Sequence, residues 1–198
     1  MERGLIVSGL VLLSWSAMTI VEARHQQRQL RTDLSRALAG PVPAVVPPAS
    51  LKRGALVGSL EIPRLKLTAM VVEGDDDNTL KRGVGHLPDT PLPWEKGNAA
   101  LAGHRDTFLR AMRNISANDE IRLSTPHGAF TYRVREIAVV TPDNTTGLSV
   151  TDDSSLTLIT CYPFNYVGPA PRRFIVHAER MANVSESSDE TVTREGNT

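Results

Sequence analysis

Short segments in which apolar and polar residues alternate, or in which β-branched residues cluster, recur from residue 56 to residue 178. Such segments predict β-strands, and they are Leu56–Ile62, Leu67–Val72, Ala99–Ala102, Glu120–Thr125, Ala129–Val140, Ser155–Cys161 and Arg173–Ala178. Turn residues separate them, and Pro126-His127-Gly128 predicts a hairpin. Only two short helices are expected, Asp76–Arg82 and Asp106–Asn114. This pattern is mainly β and predicts a closed or nearly closed β-barrel of seven or eight strands.

The longest uncharged stretch lies near the N-terminus, from Gly4 to Val21. Its 18 residues are at the lower limit for a membrane-spanning helix. We expect an uncleaved transmembrane anchor over 4–21, with residues 1–3 as a cytoplasmic tip. A cleavable signal peptide is the alternative, but Val21-Glu22-Ala23 is a poor cleavage site. The arginines that follow the anchor would, taken alone, favour a cytoplasmic location for the downstream chain.

Composition divides the rest of the chain into a connector, a folded unit and a tail. Residues 22–52 hold good helix formers with Leu30, Leu34 and Leu38 spaced four apart, and then a proline-rich stretch. They predict a juxtamembrane helix and an extended spacer. The folded unit is expected over 53–180. Residues 181–198 are acidic and almost free of apolar side chains, which predicts a disordered tail.

Charge and composition exclude some functions. Lys+Arg and Asp+Glu both number 22, so no net field would attract nucleic acid. Only 5% of residues are aromatic, against 13 prolines and 14 glycines, which indicates many turns and a modest core. The acidic triplet Asp75-Asp76-Asp77 raises the possibility of calcium, but it lacks a glycine-bearing loop of suitable spacing. Acidic residues at the start of a short helix explain it through the helix dipole.

Cys161 is the only cysteine, and it ends a predicted strand that Pro163 interrupts shortly afterwards. A lone cysteine in this position is either a small buried apolar residue or a reactive thiol, which needs a base or cation nearby. Among the five histidines, His104 is the strongest partner because it also ends an apolar strand-like run, Asn98–Gly103. His177 shares a strand face with Arg173 and stays open as a second candidate. Arginine suits oxyanion stabilisation because its charge is permanent and its donors form a fork, and Arg172-Arg173 opens the last strand.

Three linked motifs resemble the sortase family. They are Leu101-Ala102-Gly103-His104-Arg105-Asp106-Thr107-Phe108, Thr157-Leu158-Ile159-Thr160-Cys161-Tyr162-Pro163-Phe164 and Pro171-Arg172-Arg173-Phe174-Ile175-Val176, and they come in the family's order and at its spacing. The Cys-Tyr-Pro-Phe continuation and the histidine segment resemble the class D branch. The resemblance implies an eight-stranded barrel preceded by a transmembrane helix.

The same resemblance implies roles for individual residues. Cys161 would be the nucleophile, His104 the general acid/base and Arg173 the group that holds the substrate carbonyl and oxyanion. Neighbouring positions in the motifs, Thr160, Leu101 and Tyr162, would contact the substrate. No metal or other cofactor is implied, because a thiol, an imidazole and a guanidinium suffice for the chemistry.

The implied reaction is transpeptidation at the outer face of the cytoplasmic membrane, by a single-pass protein whose domain faces outward. The partners would be an LPxT-like sorting-signal peptide of a secreted protein and an amine, from a cell-wall peptide or a pilin lysine. Three alternatives share parts of the pattern. A cysteine peptidase that only hydrolyses would use the same triad, and a non-catalytic assembly barrel would keep the fold. A peptidoglycan L,D-transpeptidase would need a Ser-His-Gly-Cys-type strand, which Leu158-Ile159-Thr160-Cys161 is not.

Overall fold

The computed structural model describes residues 18, 25, 27–36, 39, 51–143 and 153–181. Within them the chain folds into eight strands: β1 (Leu56–Ile62), β2 (Leu67–Glu73), β3 (Val84–His86), β4 (Asn98–Gly103), β5 (Glu120–Thr125), β6 (Gly128–Val140), β7 (Ser155–Tyr162) and β8 (Arg172–Arg180). They form a closed barrel in the order β1-β2-β3-β4-β7-β8-β6-β5. The prediction of a mainly β, closed barrel is confirmed.

The seven strands predicted from alternation are all present, with ends that differ by at most two residues. Strand β3 was not predicted, because its three residues are too few to show alternation and include Gly85. It is nevertheless needed to close the barrel: it pairs in parallel with β2 and antiparallel with β4. The hairpin at Pro126-His127-Gly128 is confirmed by the antiparallel register of β5 and β6.

Two strand pairings determine where the candidate chemistry lies. Strand β4 runs parallel to β7, with Gly103 opposite Thr160. Strand β8 runs antiparallel to β7, with Arg173 opposite Cys161. The pairing of β7 with β8 joins two consecutive strands through the loop between them, whereas β4 and β7 are separated by two other strands in sequence, so their pairing does not follow from a local turn.

Helical segments are short, as the sequence predicts. Asp76 caps α2 (Asp77–Arg82) by accepting hydrogen bonds from the backbone N–H groups of Asn78 and Thr79. This capping explains one member of the acidic triplet without a metal. The second predicted helix is a 3₁₀-helix over Arg110–Asn114, shorter than the predicted 106–114.

The barrel interior is a continuous apolar core. Its side chains come from every strand and from the segment after β4; they include Leu60, Ile62, Val71, Val84, Leu101, Leu109, Met112, Ile121, Leu123, Val134, Leu156, Leu158 and Val176. Tyr132 lies in the same core, where its hydroxyl donates to the Pro93 carbonyl at 3.3 Å, and burial raises the pKa of this phenol to about 12.

Residues 27–36 form a helix, α1, that packs on the outside of the barrel. Its buried Leu30 and Leu34 contact Met70 and Val72 of β2. The Gln27 side chain accepts a hydrogen bond from the Met70 backbone N–H at 3.0 Å and donates to the Arg82 carbonyl. This contact of the predicted juxtamembrane helix with the barrel was not expected from the sequence. Among the described residues no helix is long and apolar enough to cross a membrane, and nearly all of the predicted anchor lies outside them.

Candidate active site

Cys161 and Arg173 lie on the outer face of the barrel wall. Their neighbours Thr160 and Phe174 form the preceding cross-strand pair, and the Phe174 side chain belongs to the barrel core. Because side chains alternate along a strand, the next pair, Cys161 with Arg173, faces the opposite side of the sheet. The thiol is free and half-buried, and the guanidinium is also half-buried.

His104 comes level with Cys161 on the other side of β7. It follows Gly103, the last residue of β4, and Gly103 pairs with Thr160. His104 is one position past the end of β4 and Cys161 is the residue after Thr160, so this register brings the two residues to the same end of the neighbouring strands. The structure therefore brings the three predicted catalytic residues into one row, on three adjacent strand ends, with Cys161 in the middle.

Close packing fixes the backbone just before His104. A methyl group added at Gly103 would lie 2.8 Å from two carbon atoms of the buried Leu109 side chain. The Thr160 hydroxyl donates to the Gly103 carbonyl at 2.7 Å, and Thr160 is only 2% exposed. The residue before the nucleophile thus holds the residue before the histidine.

Two predicted substrate contacts need correction. The Thr160 hydroxyl is buried and already donates its hydrogen bond to the Gly103 carbonyl. Leu101 is fully buried, with its side chain in the barrel core. Neither side chain can reach a substrate on the outer face, because each lies on the opposite side of its strand from Cys161 and His104. Tyr162 is half-buried and packs against the core, with its ring centroid 6.1 Å from that of Phe164; its contact with substrate stays a prediction.

The outer face also presents an apolar row that sequence reasoning missed. Ala102, Ile159 and Ile175 are cross-strand neighbours. Ala102 lies two residues before His104, Ile159 lies two residues before Cys161, and Ile175 lies two residues after Arg173. Counting in steps of two from Cys161 would have found Ile159, and the same step from Arg173 would have found Ile175. The strand order that adds Ala102 to them was not available from the sequence.

The electrostatics of this end of the barrel are cationic. Arg105, Arg172 and Arg173 all lie here, and within the described residues no carboxylate comes within 4 Å of their guanidinium groups. The Arg173 Nη1 donates to the backbone carbonyls of Ala170 and Arg172, at 3.3 Å and 3.2 Å. Positive charge without a fixed anion suits a site where negative charge develops during a reaction.

The other histidines belong elsewhere in the structure. His86 is buried in β3, where its Nδ1 lies 2.7 Å from Glu73 Oε2. His127 stacks on Trp94 at the opposite end of the barrel, with ring centroids 4.1 Å apart. This stack places Trp94 on the barrel and away from any groove at Cys161. His177 pairs with Thr157, four residues beyond Arg173 along β8, and its Nδ1 lies 3.3 Å from the Thr157 hydroxyl.

Comparison with known proteins agrees with this fold and motif set. The family model described as the sortase domain matches residues 60–181. The chain is 33% identical to sortase D of Bacillus subtilis over 189 residues, which covers 89% of this chain and 96% of that protein.

The chain belongs to the sortase family. Within the family of these transpeptidases it resembles the class D members. In fold it is similar to a solved sortase D transpeptidase of Clostridium perfringens, with a TM-score of 0.69 at 22% identity over 80% of this chain and 99% of that one. It is also similar to sortase A from Corynebacterium diphtheriae, with a TM-score of 0.61 at 21% identity over 81% of this chain and 85% of that one.

Sortases act on sorting-signal substrates and amine nucleophiles. The fold and the family predicted from the three motifs are therefore confirmed. The roles of Cys161, His104 and Arg173 were predicted from the same motifs, and the row of strand ends described above is the structural argument for them.

Proposed function

We propose that this sortase cleaves an LPxT-type sorting signal after its threonine and joins the threonine acyl group to an amine, through a thioacyl intermediate on Cys161. The observation that carries the proposal is the row of His104, Cys161 and Arg173 on adjacent strand ends. A nucleophile with an acid/base group on one side and a permanent cation on the other has what acyl transfer requires.

The first half-reaction forms the thioester. The Cys161 thiolate attacks the threonine carbonyl carbon, and Arg173 stabilises the negative oxygen of the tetrahedral intermediate. The carbon–nitrogen bond then breaks as His104 gives a proton to the departing amine. In the second half-reaction the acceptor amine attacks the thioester, His104 removes its proton, and the Cys161 thiolate leaves.

The apolar row beside the reactive row supports a peptide of this kind. Ile159 and Ala102 are half-buried and Ile175 is 8% exposed, so they form an outward-facing apolar surface beside the catalytic row. Leucine and proline side chains of a sorting signal would remove further apolar area from water there. We also propose a single-pass location in the cytoplasmic membrane with the catalytic domain outside, where secreted substrates and cell-wall or pilin amines are available.

Incubation of the full chain with a library of Leu-Pro-x-Thr-like peptides and an added amine tests the reaction. Intact-mass spectrometry is expected to detect an acyl adduct on Cys161 and the peptide–amine product. A product made only with water would favour the hydrolytic alternative. Absence of both adduct and product, with Cys161 reactive to iodoacetamide, would contradict the proposal.

A further inference from the structure

The loop between β7 and β8 connects the Cys161 strand to the Arg173 strand. It runs from Pro163 to Pro171, and it contains no helix or strand. Its middle is exposed, and the Val167 side chain is 95% exposed. Exposed backbone of this kind has few packing contacts to fix it, so the position of the loop depends on specific bonds.

Arg105, the residue after His104, supplies two of those bonds. Its Nη2 donates to the Tyr166 carbonyl at 2.7 Å and to the Gly168 carbonyl at 3.1 Å. The guanidinium carbon also lies 6.0 Å from the centre of the Tyr166 ring, at the limit of a cation–π contact. Gly168 has φ of 98°, a conformation that favours glycine and turns the backbone at this point of the loop.

Arg173 holds the same loop from the other side. Its Nη1 donates to the Ala170 carbonyl at 3.3 Å, two residues after the Gly168 carbonyl that Arg105 holds. The loop carbonyls therefore link the segment of His104 to the guanidinium of Arg173. If the loop shifts, the Ala170 carbonyl and with it the direction of the Arg173 side chain shift too.

The environment of Arg105 argues against an ordinary surface ion pair. Its side chain is half-buried, and in the described part of the chain no carboxylate lies within 4 Å of it. Both of its hydrogen bonds go to one loop. Charge-assisted bonds to carbonyls are stronger than neutral ones, and two from one nitrogen fix the loop in position.

We propose that Arg105 is a positioning residue for transpeptidation: it holds the β7–β8 loop and, through the Ala170 carbonyl, orients the Arg173 guanidinium beside Cys161. The inference rests on the proposed function in so far as Arg173 acts on the substrate carbonyl. It does not require Arg105 itself to touch substrate.

The test compares Arg105→Gln with Arg113→Gln in the full chain. Arg113 is the matched control because it is an exposed arginine of the same inter-strand segment whose side chain makes no hydrogen bond or ion pair with any other residue that the structure describes. For Arg105→Gln we expect backbone amides of residues 163–171 to exchange hydrogen severalfold faster, and kcat to fall about tenfold with KM changed by less than about twofold. Arg113→Gln should match the unchanged enzyme, and Arg105→Lys should recover part of the loss.

A double variant separates positioning from general stability. If Arg105 acts through Arg173, then Arg105→Gln added to Arg173→Lys should lower turnover no further. Fully additive losses, or loop exchange in Arg105→Gln equal to that of the unchanged enzyme, would overturn the inference. Failure of the proposed function is a different result, seen as absence of transfer by the unchanged enzyme, and the exchange measurement then decides the role of Arg105 in holding the loop.

Discussion

At the scale of single residues, the site depends on the side of the strand that each side chain occupies. Cys161 and Arg173 face outward as a cross-strand pair, while Thr160 and Phe174 beside them face the core. Adjacent residues of one strand thus have different roles: the one that faces outward is available to substrate, and the one that faces the core only supports the site. This alternation is the reason that Thr160, although it adjoins Cys161 in the motif, has a structural role.

Arg173→Lys is expected to lose most transpeptidase activity, by about a hundredfold in kcat, because an ammonium cannot reproduce the fork of donors. Arg172→Lys is the matched control, since Arg172 is the exposed neighbour whose guanidinium lies over the Tyr162 ring.

Cys161→Ala should abolish turnover and keep the fold, because a half-buried strand-end thiol contributes little packing. Steady-state kinetics and circular dichroism check these expectations. Near-normal turnover of either Arg173→Lys or Cys161→Ala would remove that residue from the mechanism.

Thr160→Val is expected to lower both stability and turnover. Valine keeps the shape of threonine but leaves the buried Gly103 carbonyl without the hydroxyl that donates to it at 2.7 Å. An unsatisfied buried acceptor costs about 1–3 kcal/mol, and the backbone before His104 loses a restraint. Urea unfolding and kcat measure the two effects, with Thr68→Val on an exposed face of β2 as control. Equal values for Thr160→Val and the unchanged protein would contradict this role.

At the scale of elements, strands were predictable where they are long enough to alternate. Strand β5 has the predicted ends, Glu120 and Thr125, and its burial alternates along most of its length. Strand β3 could not be found, because three residues with a central glycine carry no period. The helix over Arg110–Asn114 was predicted too long, because the residues after Asp106 form turns with no continuous helix.

A second feature at this scale is the clamp that joins three elements beside the barrel. Arg64, on the 3₁₀-helix that follows β1 (Pro63–Leu65), donates to both carboxylate oxygens of Asp119, just before β5. It also donates to the Asn114 carbonyl at 2.6 Å, at the end of the second 3₁₀-helix. The Arg64 side-chain hydrogen bonds hold the pKa of the buried Asp119 carboxyl below its usual value. The Ser116 backbone N–H acts in the same direction, and burial opposes both.

The lowered pKa of Asp119 predicts a loss of stability in acid. The clamp contributes its full stability above the unfolded pKa of an aspartate, about 3.9. Protonation removes it as pH falls below about 4 and through the lower folded value. We expect Asp119→Asn to be less stable than the unchanged protein at pH 6 and the difference to shrink between pH 4 and pH 2. Urea unfolding at each pH measures this, with exposed Asp89→Asn as control. A difference that stays constant from pH 6 to pH 2 would contradict the assignment.

At the scale of the whole molecule, the two ends of the barrel differ in character. One end carries Cys161, His104 and three arginines, and the other carries the Trp94–His127 stack and the loop from β3 to β4. Helix α1 packs against the outer face of β2.

The proposed membrane topology is tested in intact cells. With the N-terminus inside and the barrel outside, an added protease should cleave the catalytic domain while a cytoplasmic control protein stays intact. Permeabilised cells provide the positive control for cleavage. Complete protection of the domain in intact cells, with cleavage after permeabilisation, would contradict an outward-facing domain.

The sequence by itself determined seven of the eight strands, the hairpin and the residue types of the site, because alternation and turn residues are local properties. It also identified the family, since the segments around His104, Cys161 and Arg173 are each contiguous. The tertiary structure decided what depends on strand pairing. The parallel pairing of β4 with β7 brings His104 level with Cys161. Leu101 and Thr160 face the inside of the barrel, where a substrate cannot reach them. The loop between β7 and β8 joins Arg105 to Arg173 through its backbone carbonyls. Such contacts join residues far apart in the chain. The alternation of apolar and polar residues predicts which face of a strand is buried, but it does not predict which strands pair with it.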